Sequence, residues 1–277
     1  MKRIGHTGTL DPQVTGVLPL CLGRATRLVE YIQELPKEYE AALTIGYATD
    51  TEDAGGQVIA RADQEVRLTE EQVRTAIFSF IGDIQQVPPM YSAVKVDGKR
   101  LYELARQGME VERKSRTVTI HDIQILQMDL TQAYPEVRFR VQCSKGTYIR
   151  TLCVDIGKAL GYPAVMSELV RTSTGNIRQE QCLTLEQIEQ LQQQGTLADK
   201  LIPAEAALAH MPSVHLNEVQ TKKALLGQKL VVPPPSKQMM DEESGDLYAA
   251  YAADTRFIGI FKWNLSSGEL HPVKVFS

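Results

Sequence analysis

The sequence of 277 residues predicts an α+β protein of two domains. Three observations predict this: segments with alternating apolar residues, segments with apolar residues at helical spacing, and short strand-like runs joined by turns after about residue 210. Hydrophobic residues make up 43% and charged residues 23%, which is typical of globular proteins and excludes a disordered chain. No apolar run is long enough for a membrane helix, and the first residues lack the apolar core of a secretory signal.

The first 210 residues are predicted to form one domain with strands and helices. The strands are expected at 39–48 and at 137–142, where apolar and polar residues alternate most cleanly. The helices are expected at 23–32, after the Thr69 capping box, at 101–107 ended by Gly108, at 147–160 ended by Gly161, and after Thr184 with Leu185, Ile188 and Leu191 inward. Pro88-Pro89 breaks the chain between them.

A second domain is predicted at residues 211–277. It has a short helix around Leu225 ended by Gly227, an acidic turn at 241–245, and strand-like runs at 247–252, 257–263 and 272–276. Short strands joined by turns indicate a small β-rich module.

The net charge of −4 argues weakly against nucleic acid as a partner, because proteins that bind nucleic acid are usually basic. The distribution of charge along the chain does not argue against such a partner. Residues 95–116 carry seven basic and four acidic side chains, a local +3, and residues 138–178 carry seven and two, a local +5. Two basic stretches in an acidic protein favour one face for a polyanion, and the alternative is solvated surface.

Cofactor motifs are not found in the sequence. Four scattered cysteines indicate a reducing compartment, and five histidines show no ligand spacing. No phosphate-binding or dinucleotide-binding glycine motif is found. We therefore expect a cytoplasmic protein with no cofactor and no metal.

Three segments could carry chemistry. Asp11 lies among glycines and prolines, where it is either a catalytic carboxylate or a turn cap, and His6 is five residues away. The segment 144–150 joins a strand to a helix and carries Lys145, Tyr148 and Arg150 at a strand end, where ligands collect. The segment 88–102 interleaves aromatics with cations, as RNA-binding segments do, or is a hairpin with solvated lysines.

The ordered set of these motifs resembles the bacterial tRNA pseudouridine-55 synthases of the TruB type. The segments that carry the resemblance are Gly5-His6-Thr7-Gly8-Thr9-Leu10-Asp11-Pro12, residues 15–23, Lys37-Glu38-Tyr39, Asp50-Thr51-Glu52-Asp53, Pro88-Pro89-Met90-Tyr91-Ser92-Ala93, residues 144–150 and Leu169-Val170-Arg171. Family members carry a further N-terminal segment with a Lys-Pro block and a first strand, so we expect this chain to expose a sheet edge there.

The resemblance implies a pseudouridine synthase fold, with a central mixed, mostly antiparallel sheet flanked by helices and a PUA-like RNA-binding module at 211–277. It implies roles for individual residues: Asp11, Arg150 and Tyr39 in catalysis, and His6, Tyr39, Tyr148 and Leu169 in contact with the flipped nucleotide. Residues 88–115 would clasp the RNA. Lys95, Lys99, Arg100, Lys145 and Arg171 would hold its backbone.

The implied reaction is the isomerisation of uridine to pseudouridine in the T arm of tRNA by an intramolecular transferase that acts as a monomer. The carboxylate would sit in a dry pocket near the ribose anomeric carbon, and an adjacent arginine favours its charged form there. The Tyr39 hydroxyl is a candidate for removing the C5 proton. Two alternatives stay open: a non-catalytic tRNA-binding or RNA-folding protein on the same scaffold, and an aspartate-dependent glycoside hydrolase, which needs a second acidic partner.

Overall fold

The computed structural model describes residues 3–96, 98–233 and 247–276. The chain forms two compact units, which we call the main unit (residues 8–19 and 33–182) and the second unit (residues 1–7, 20–32 and 183–277). The predicted domain boundary at residue 210 divides the chain in sequence order, whereas these two units combine separate stretches of it. The boundary therefore stays a prediction. The predicted acidic turn at 241–245 lies outside the described residues.

The secondary structure of the described residues follows in chain order. The strands are β1 (Ile4–His6), β2 (Thr15–Gly16), β3 (Leu20–Leu22), β4 (Lys37–Ile45), β5 (Tyr47–Thr49), β6 (Val58–Arg61), β7 (Gly82–Gln86), β8 (Lys95–Val96), β9 (Lys99–Arg100), β10 (Arg116–Asp129), β11 (Glu136–Cys143), β12 (Ala164–Thr174), β13 (Ile177–Arg178), β14 (Ser213–His215), β15 (Leu230–Val231), β16 (Leu247–Tyr251), β17 (Phe257–Asn264) and β18 (Glu269–Val275). The α-helices are α1 (Val29–Glu34), α2 (Glu70–Phe78), α3 (Leu101–Ala105), α4 (Ile149–Leu160), α5 (Leu185–Gln194) and α6 (Glu218–Leu225).

The main unit is built on a seven-stranded sheet. Its strands lie in the order β13-β12-β4-β11-β10-β7 with antiparallel neighbours, and β2 pairs in parallel with β12. This confirms the α+β class and the mixed, mostly antiparallel sheet. Two small hairpins, β5-β6 and β8-β9, complete the strands of this unit.

The core of the main unit joins the central strands to α4. Leu43 of β4 and Phe139 of β11 are completely buried because apolar residues alternate along both strands. Leu152 and Ile156, one turn apart on α4, are completely buried in the same cluster. Each such side chain contributes about 1.5–3 kcal/mol by leaving water. This packing makes α4 a rigid support for the residues at its N-terminus.

Most predicted elements of the first 210 residues are confirmed. The Thr69 capping box is present, with the Thr69 hydroxyl accepting from the Gln72 N–H, and Gly161 ends α4 in the left-handed conformation. The predicted helix at 23–32 begins as a 3-10 helix, Gly23–Leu28, before it continues as α1. The prediction that Leu185 faces inward is wrong, because its side chain is 79% exposed.

Two long strands, β10 and β12, were not predicted. Both carry register shifts: β10 shifts against β11 between Ile120 and Asp122, and β12 shifts against β4 between Met166 and Glu168. A bulge adds one residue on one side of the ladder and reverses the inward and outward positions beyond it. The alternation in the sequence is therefore broken, which removes the signal on which strand prediction depends.

The second unit contains the predicted β-rich region. Its sheet has the order β14-β16-β17-β18-β15, and β16, β17 and β18 lie within a few residues of the predicted strands. Phe261 and Trp263 of β17 are buried in its core, and α6 is followed by Gly227 with a positive φ. None of the helices among the described residues has the length and apolar character needed to cross a membrane.

A loop that carries Asp11, residues 8–19, is attached to the sheet through β2. Gly16 lies opposite Arg171 of β12, and the Val17 N–H donates to the Arg171 carbonyl at 2.7 Å. Gly16 has a φ of +108°, and a Cβ there would lie 2.2 Å from the Arg171 carbonyl oxygen. Glycine is therefore required at this position, both for the backbone conformation and for the close approach of the loop. We call residues 8–19 the Asp11 loop.

The substitution Gly16→Ala is expected to lower the free energy of unfolding by at least about 3 kcal/mol, because strain adds to a backbone clash. The control is Gly161→Ala at the end of α4, where φ is +81° and nothing lies within 4 Å of the added Cβ. That change should cost only the left-handed conformation, about 1–2 kcal/mol. Urea unfolding of the three proteins measures both values, and equal losses would contradict the close approach.

Candidate active site

Asp11 lies in a tight turn whose position is set by the sheet. The Val14 N–H donates to the Asp11 carbonyl at 2.9 Å, and β2 follows directly. Because β2 is paired with β12, the turn is held at a defined point of the sheet. The aspartate is therefore presented by a short loop that is anchored to the sheet through β2.

The structure brings Asp11 and Arg150 together. The Arg150 Nε lies 2.9 Å from Asp11 Oδ2, and the side chains are 4% and 45% exposed. The expected dry pocket around Asp11 is not observed. The Arg150 side chain is buried, whereas nearly half of the Asp11 side chain is exposed. The positive charge is thus held inside the protein, and it orients a carboxylate that other molecules can approach.

Arg150 is held by backbone carbonyls as well as by Asp11. Its Nη1 donates to the Thr51 carbonyl at 2.7 Å and its Nη2 to the Tyr91 carbonyl at 2.8 Å. A buried arginine needs such partners, because an unsatisfied guanidinium would carry a large desolvation cost. Two loops therefore fix the plane of the guanidinium that faces Asp11.

Asp53 is a second acid near Arg150, and the sequence predicts no individual role for it. Its Oδ2 lies 3.9 Å from the Arg150 Nη1, and its Oδ1 accepts from Thr51 Oγ1 at 2.8 Å and from the Gly55 N–H at 3.0 Å. The arginine thus lies between two carboxylates. Asp53 belongs to a motif used for the resemblance, and that motif was the only signal pointing to it.

Glu52, beside Asp53, ties the same loop to α4. Its Oε2 accepts from Thr151 Oγ1 at 2.6 Å, and its backbone has a φ of +64°, which is uncommon for a residue with a side chain. Burial raises the pKa of the Glu52 carboxyl, while the bond from Thr151 and the charge of Arg150 oppose the rise. The loop 50–56 is therefore anchored to α4 next to Arg150.

Arg171 supports the Asp11 loop from the sheet. Its side chain is buried, its Nε donates to the Val17 carbonyl at 2.6 Å and its Nη2 donates to the Gly8 carbonyl at 3.0 Å. These bonds reach both ends of the Asp11 loop. They argue against the predicted contact of Arg171 with the RNA backbone, because no exposed guanidinium is left for a phosphate.

Tyr39 lies on β4 directly opposite Arg171 of β12 and is half buried. Burial is the main reason why the pKa of its hydroxyl is raised; the charge of Asp11 adds to the rise, and a hydrogen bond with Arg171 opposes it. A raised pKa makes the phenolate harder to form, which weighs against Tyr39 as a base in its ionised form.

The predicted nucleotide-contacting residues lie in different parts of the structure. Tyr148 is the residue before α4, and Leu169 lies opposite Ala41 of β4, two positions along that strand from Tyr39. Both are half buried in the main unit. His6 ends β1 in the second unit and is exposed. Its predicted contact with the nucleotide stays a prediction.

The predicted RNA-backbone cations, apart from Arg171, are exposed. Lys95 of β8 lies directly opposite Arg100 of β9, and like charges in this position destabilise a hairpin. Lys95 and Lys99 have no salt bridge within the described ranges. Arg100 Nη1 donates to the Tyr102 hydroxyl at 2.9 Å, whereas Lys145 forms an ion pair with Glu34. Among the described residues, the hairpin therefore presents Lys95 and Lys99 without a salt bridge.

No potential metal cluster of three His, Cys, Asp or Glu side chains occurs among residues 3–96, 98–233 and 247–276. Cys143 and Cys153 are buried in the core of the main unit. Burial raises the pKa of both thiols, to about 12 for Cys143, so both are uncharged at neutral pH. They are part of the apolar packing around β11 and α4.

Solved structures are similar to this chain along its whole length. A structure of an H/ACA RNP bound to a substrate RNA containing 2′-deoxyuridine aligns with a TM-score of 0.73 and 25% identity, covering 100% of this chain and 77% of that one. A crystal structure of a Cbf5-Nop10-Gar1 complex aligns with a TM-score of 0.72 and 26% identity, covering 100% and 76%. The pseudouridine synthase fold expected from the sequence is therefore confirmed.

Sequence comparisons identify the family. Residues 1–149 match the model of the TruB family pseudouridylate synthase N-terminal domain, and residues 150–209 match that of the tRNA pseudouridylate synthase B C-terminal domain. A tRNA pseudouridine synthase B of Bacillus licheniformis is 46% identical over 99% of this chain and 88% of its own length, and one of Bacillus subtilis is 43% identical over 99% and 88%. The chain belongs to the TruB family of pseudouridylate synthases.

The substitution Glu52→Gln is expected to stabilise the protein more at pH 8 than at pH 5. The raised pKa of Glu52 means that the fold favours the protonated acid, so this contribution is present at low pH and is lost as the pH rises through the folded pKa. Glutamine still accepts the bond from Thr151 and carries no charge to desolvate. The difference in Tm between variant and wild type, measured at both pH values, checks this.

The control is Glu65→Gln on the surface, where Glu65 is 71% exposed and paired with Arg67. It makes the same change at an exposed position and so gives the effect of the substitution itself. A Glu52→Gln difference that is equal at pH 5 and pH 8, or smaller at pH 8, would contradict the assignment of a raised pKa.

Proposed function

We propose that this protein converts uridine to pseudouridine at position 55 in the T arm of tRNA, with Asp11 acting at the ribose anomeric carbon. The observation that carries the proposal is the half-exposed Asp11 carboxylate 2.9 Å from the buried Arg150. The relatives named tRNA pseudouridine synthase B support tRNA as the substrate, since this chain matches them over nearly its whole length. Action as a monomer in the cytoplasm is part of the same proposal.

The isomerisation breaks the C1′–N1 bond and forms a C1′–C5 bond, while C5 loses a proton and N1 gains one. A carboxylate near C1′ can either bond to that carbon or stabilise the positive charge that develops on the sugar. Arg150 keeps the Asp11 carboxylate oriented toward the open side, because its own position is set by two backbone carbonyls. Position accounts for much of the rate of such a reaction.

The uridine must leave the folded RNA before it reaches Asp11, at a cost of a few kcal/mol. Stacking on an aromatic ring returns about 1–3 kcal/mol, and Tyr39 is our candidate for that ring. Tyr39 lies on the strand next to β12, whose Arg171 carries the Asp11 loop. The same sheet thus supports the proposed stacking residue and the proposed catalytic acid. The raised pKa of the Tyr39 hydroxyl favours this stacking role over removal of the C5 proton by a Tyr39 phenolate.

The hairpin β8-β9 is proposed to hold the RNA backbone. Its opposed cations Lys95 and Arg100 destabilise each other until a polyanion lies between them. Binding through phosphates makes RNA affinity fall steeply as salt rises. The second unit is proposed to contribute a PUA-like RNA-binding module at 211–277, consistent with its small β-rich sheet.

Asp11→Asn is expected to lower the single-turnover rate on unmodified tRNA by more than about 10³-fold, because the amide has no negative charge to offer C1′. The Kd for tRNA should change little. Pseudouridine is measured by chemical mapping of the transcript, and binding by filter retention. The control is Asp63→Asn, which makes the same change at an exposed position.

Full activity of Asp11→Asn would remove Asp11 from the mechanism. If the wild-type protein binds tRNA but forms no pseudouridine, the result supports the alternative of a tRNA-binding protein on the same scaffold. Release of free uracil without a new C1′–C5 bond would instead indicate a glycoside hydrolase.

The double substitution Lys95→Ser/Lys99→Ser is expected to weaken tRNA binding and to reduce the slope of log K against log salt by about 2, since each phosphate contact contributes about 0.9. The control is Arg67→Ser/Arg74→Ser, which removes two cations that are paired with glutamates. Titrations at several salt concentrations give both slopes. Equal slopes for the two double variants would contradict the role of the hairpin.

A further inference from the structure

Gln86 is a buried polar residue at the end of β7. Both the oxygen and the nitrogen of its side-chain amide form hydrogen bonds to one residue, Tyr148. The Tyr148 N–H donates to Gln86 Oε1 at 2.7 Å, and Gln86 Nε2 donates to the Tyr148 carbonyl at 3.0 Å. The Gln86 side chain is 2% exposed. Two short bonds in a buried place fix the peptide groups on both sides of the Tyr148 Cα.

Tyr148 is the point at which α4 begins. It is the N-cap residue of the helix, and its own side chain makes no capping bond. Arg150 follows two residues later, so a shift of the Tyr148 backbone moves the base of the Arg150 side chain. Among the described residues, the Gln86 side chain therefore fixes the start of α4 by bonding to the Tyr148 backbone.

The segment that begins at Gln86 also holds Arg150 directly. Five residues later, the Tyr91 carbonyl accepts from the Arg150 Nη2 at 2.8 Å. Between them, the Pro88 carbonyl accepts from Arg113 Nη1 at 3.1 Å, which joins the two ends of the proposed RNA-clasping segment. The root of that segment therefore contacts the start of α4 at two points: Gln86 on the Tyr148 backbone and Tyr91 on the Arg150 guanidinium.

We propose that Gln86 is a positioning residue for the isomerisation: it fixes the backbone at Tyr148 and so sets the Arg150 guanidinium against Asp11. This rests on the proposed function. Gln86 does not touch the reacting atoms, so its loss acts on the chemical step and leaves the phosphate contacts of the β8-β9 hairpin intact. A displacement of about 1 Å in a catalytic group costs up to about 100-fold in rate.

An amide is the neutral side-chain group that offers a donor and an acceptor side by side, as the Tyr148 backbone requires. A charged glutamate keeps the acceptor but cannot donate to the Tyr148 carbonyl, whereas a protonated glutamate can donate through its O–H. Methionine has a similar volume and offers neither bond. These three side chains therefore separate hydrogen bonding from packing at the same site.

The test compares Gln86→Met and Gln86→Glu with wild type in single-turnover formation of pseudouridine at saturating unmodified tRNA. We expect Gln86→Met to lose about 10- to 100-fold in rate while its Kd for tRNA stays near that of wild type. The matched control is Gln85→Met, the preceding residue, which is exposed and bonds Thr117 on the surface at 2.8 Å. It should keep the wild-type rate.

The dependence on pH separates positioning from packing. The ratio of the Gln86→Glu rate to the wild-type rate should rise as the pH falls from 8 to 5.5, because protonation restores the donor to the Tyr148 carbonyl. The corresponding ratio for Gln86→Met should stay constant. A buried glutamate also makes the stability of the variant depend on pH, so rates are compared only where circular dichroism and urea unfolding show each protein to be fully folded.

Three results would overturn the proposal: a wild-type rate for Gln86→Met, a loss that appears in Kd rather than in rate, or a Gln86→Glu ratio that does not change with pH. The failure of the proposed function looks different, because the wild-type protein itself would then form no pseudouridine. An active wild type with any of the three results leaves the function standing and removes the role of Gln86.

Discussion

The ion pair between Arg150 and Asp11 is the interaction on which the site depends. A guanidinium that is 4% exposed can exist only where its N–H groups are satisfied, and the protein supplies Asp11 and the carbonyls of Thr51 and Tyr91. Several elements of the main unit serve this purpose. The helix α4 carries the arginine, the sheet carries the Asp11 loop, and two loops hold the guanidinium from its other side.

A second buried arginine repeats the same solution. Arg171 donates to two carbonyls of the Asp11 loop, as Arg150 donates to carbonyls of the loops at 51 and 91. Each arginine bonds to segments that are distant from it in the chain. The carbonyl groups that accept these bonds need not belong to a helix or a strand. The site is thus assembled from irregular loops, with its precision supplied by two cations rooted in a helix and a strand.

Much of the fold could be predicted because its periodic signals are strong. The strand around Phe139 and the helix that carries Leu152 follow from alternation and from helical spacing. The strands β10 and β12 could not be predicted, because bulges reverse their alternation. At the site, only the family motifs indicated that Asp11 and Arg150 are partners. The burial of Arg171 could not be predicted, because it depends on tertiary contacts that no local sequence pattern shows.

The partners of Arg150 at positions 51 and 91 have a consequence for how this protein tolerates change. Both are main-chain oxygens, which every amino acid supplies, so substitutions there can leave the hydrogen bonds in place. A deletion or insertion in either loop would instead move the oxygen itself. The length of these loops, more than the identity of their residues, is therefore what selection is expected to hold constant.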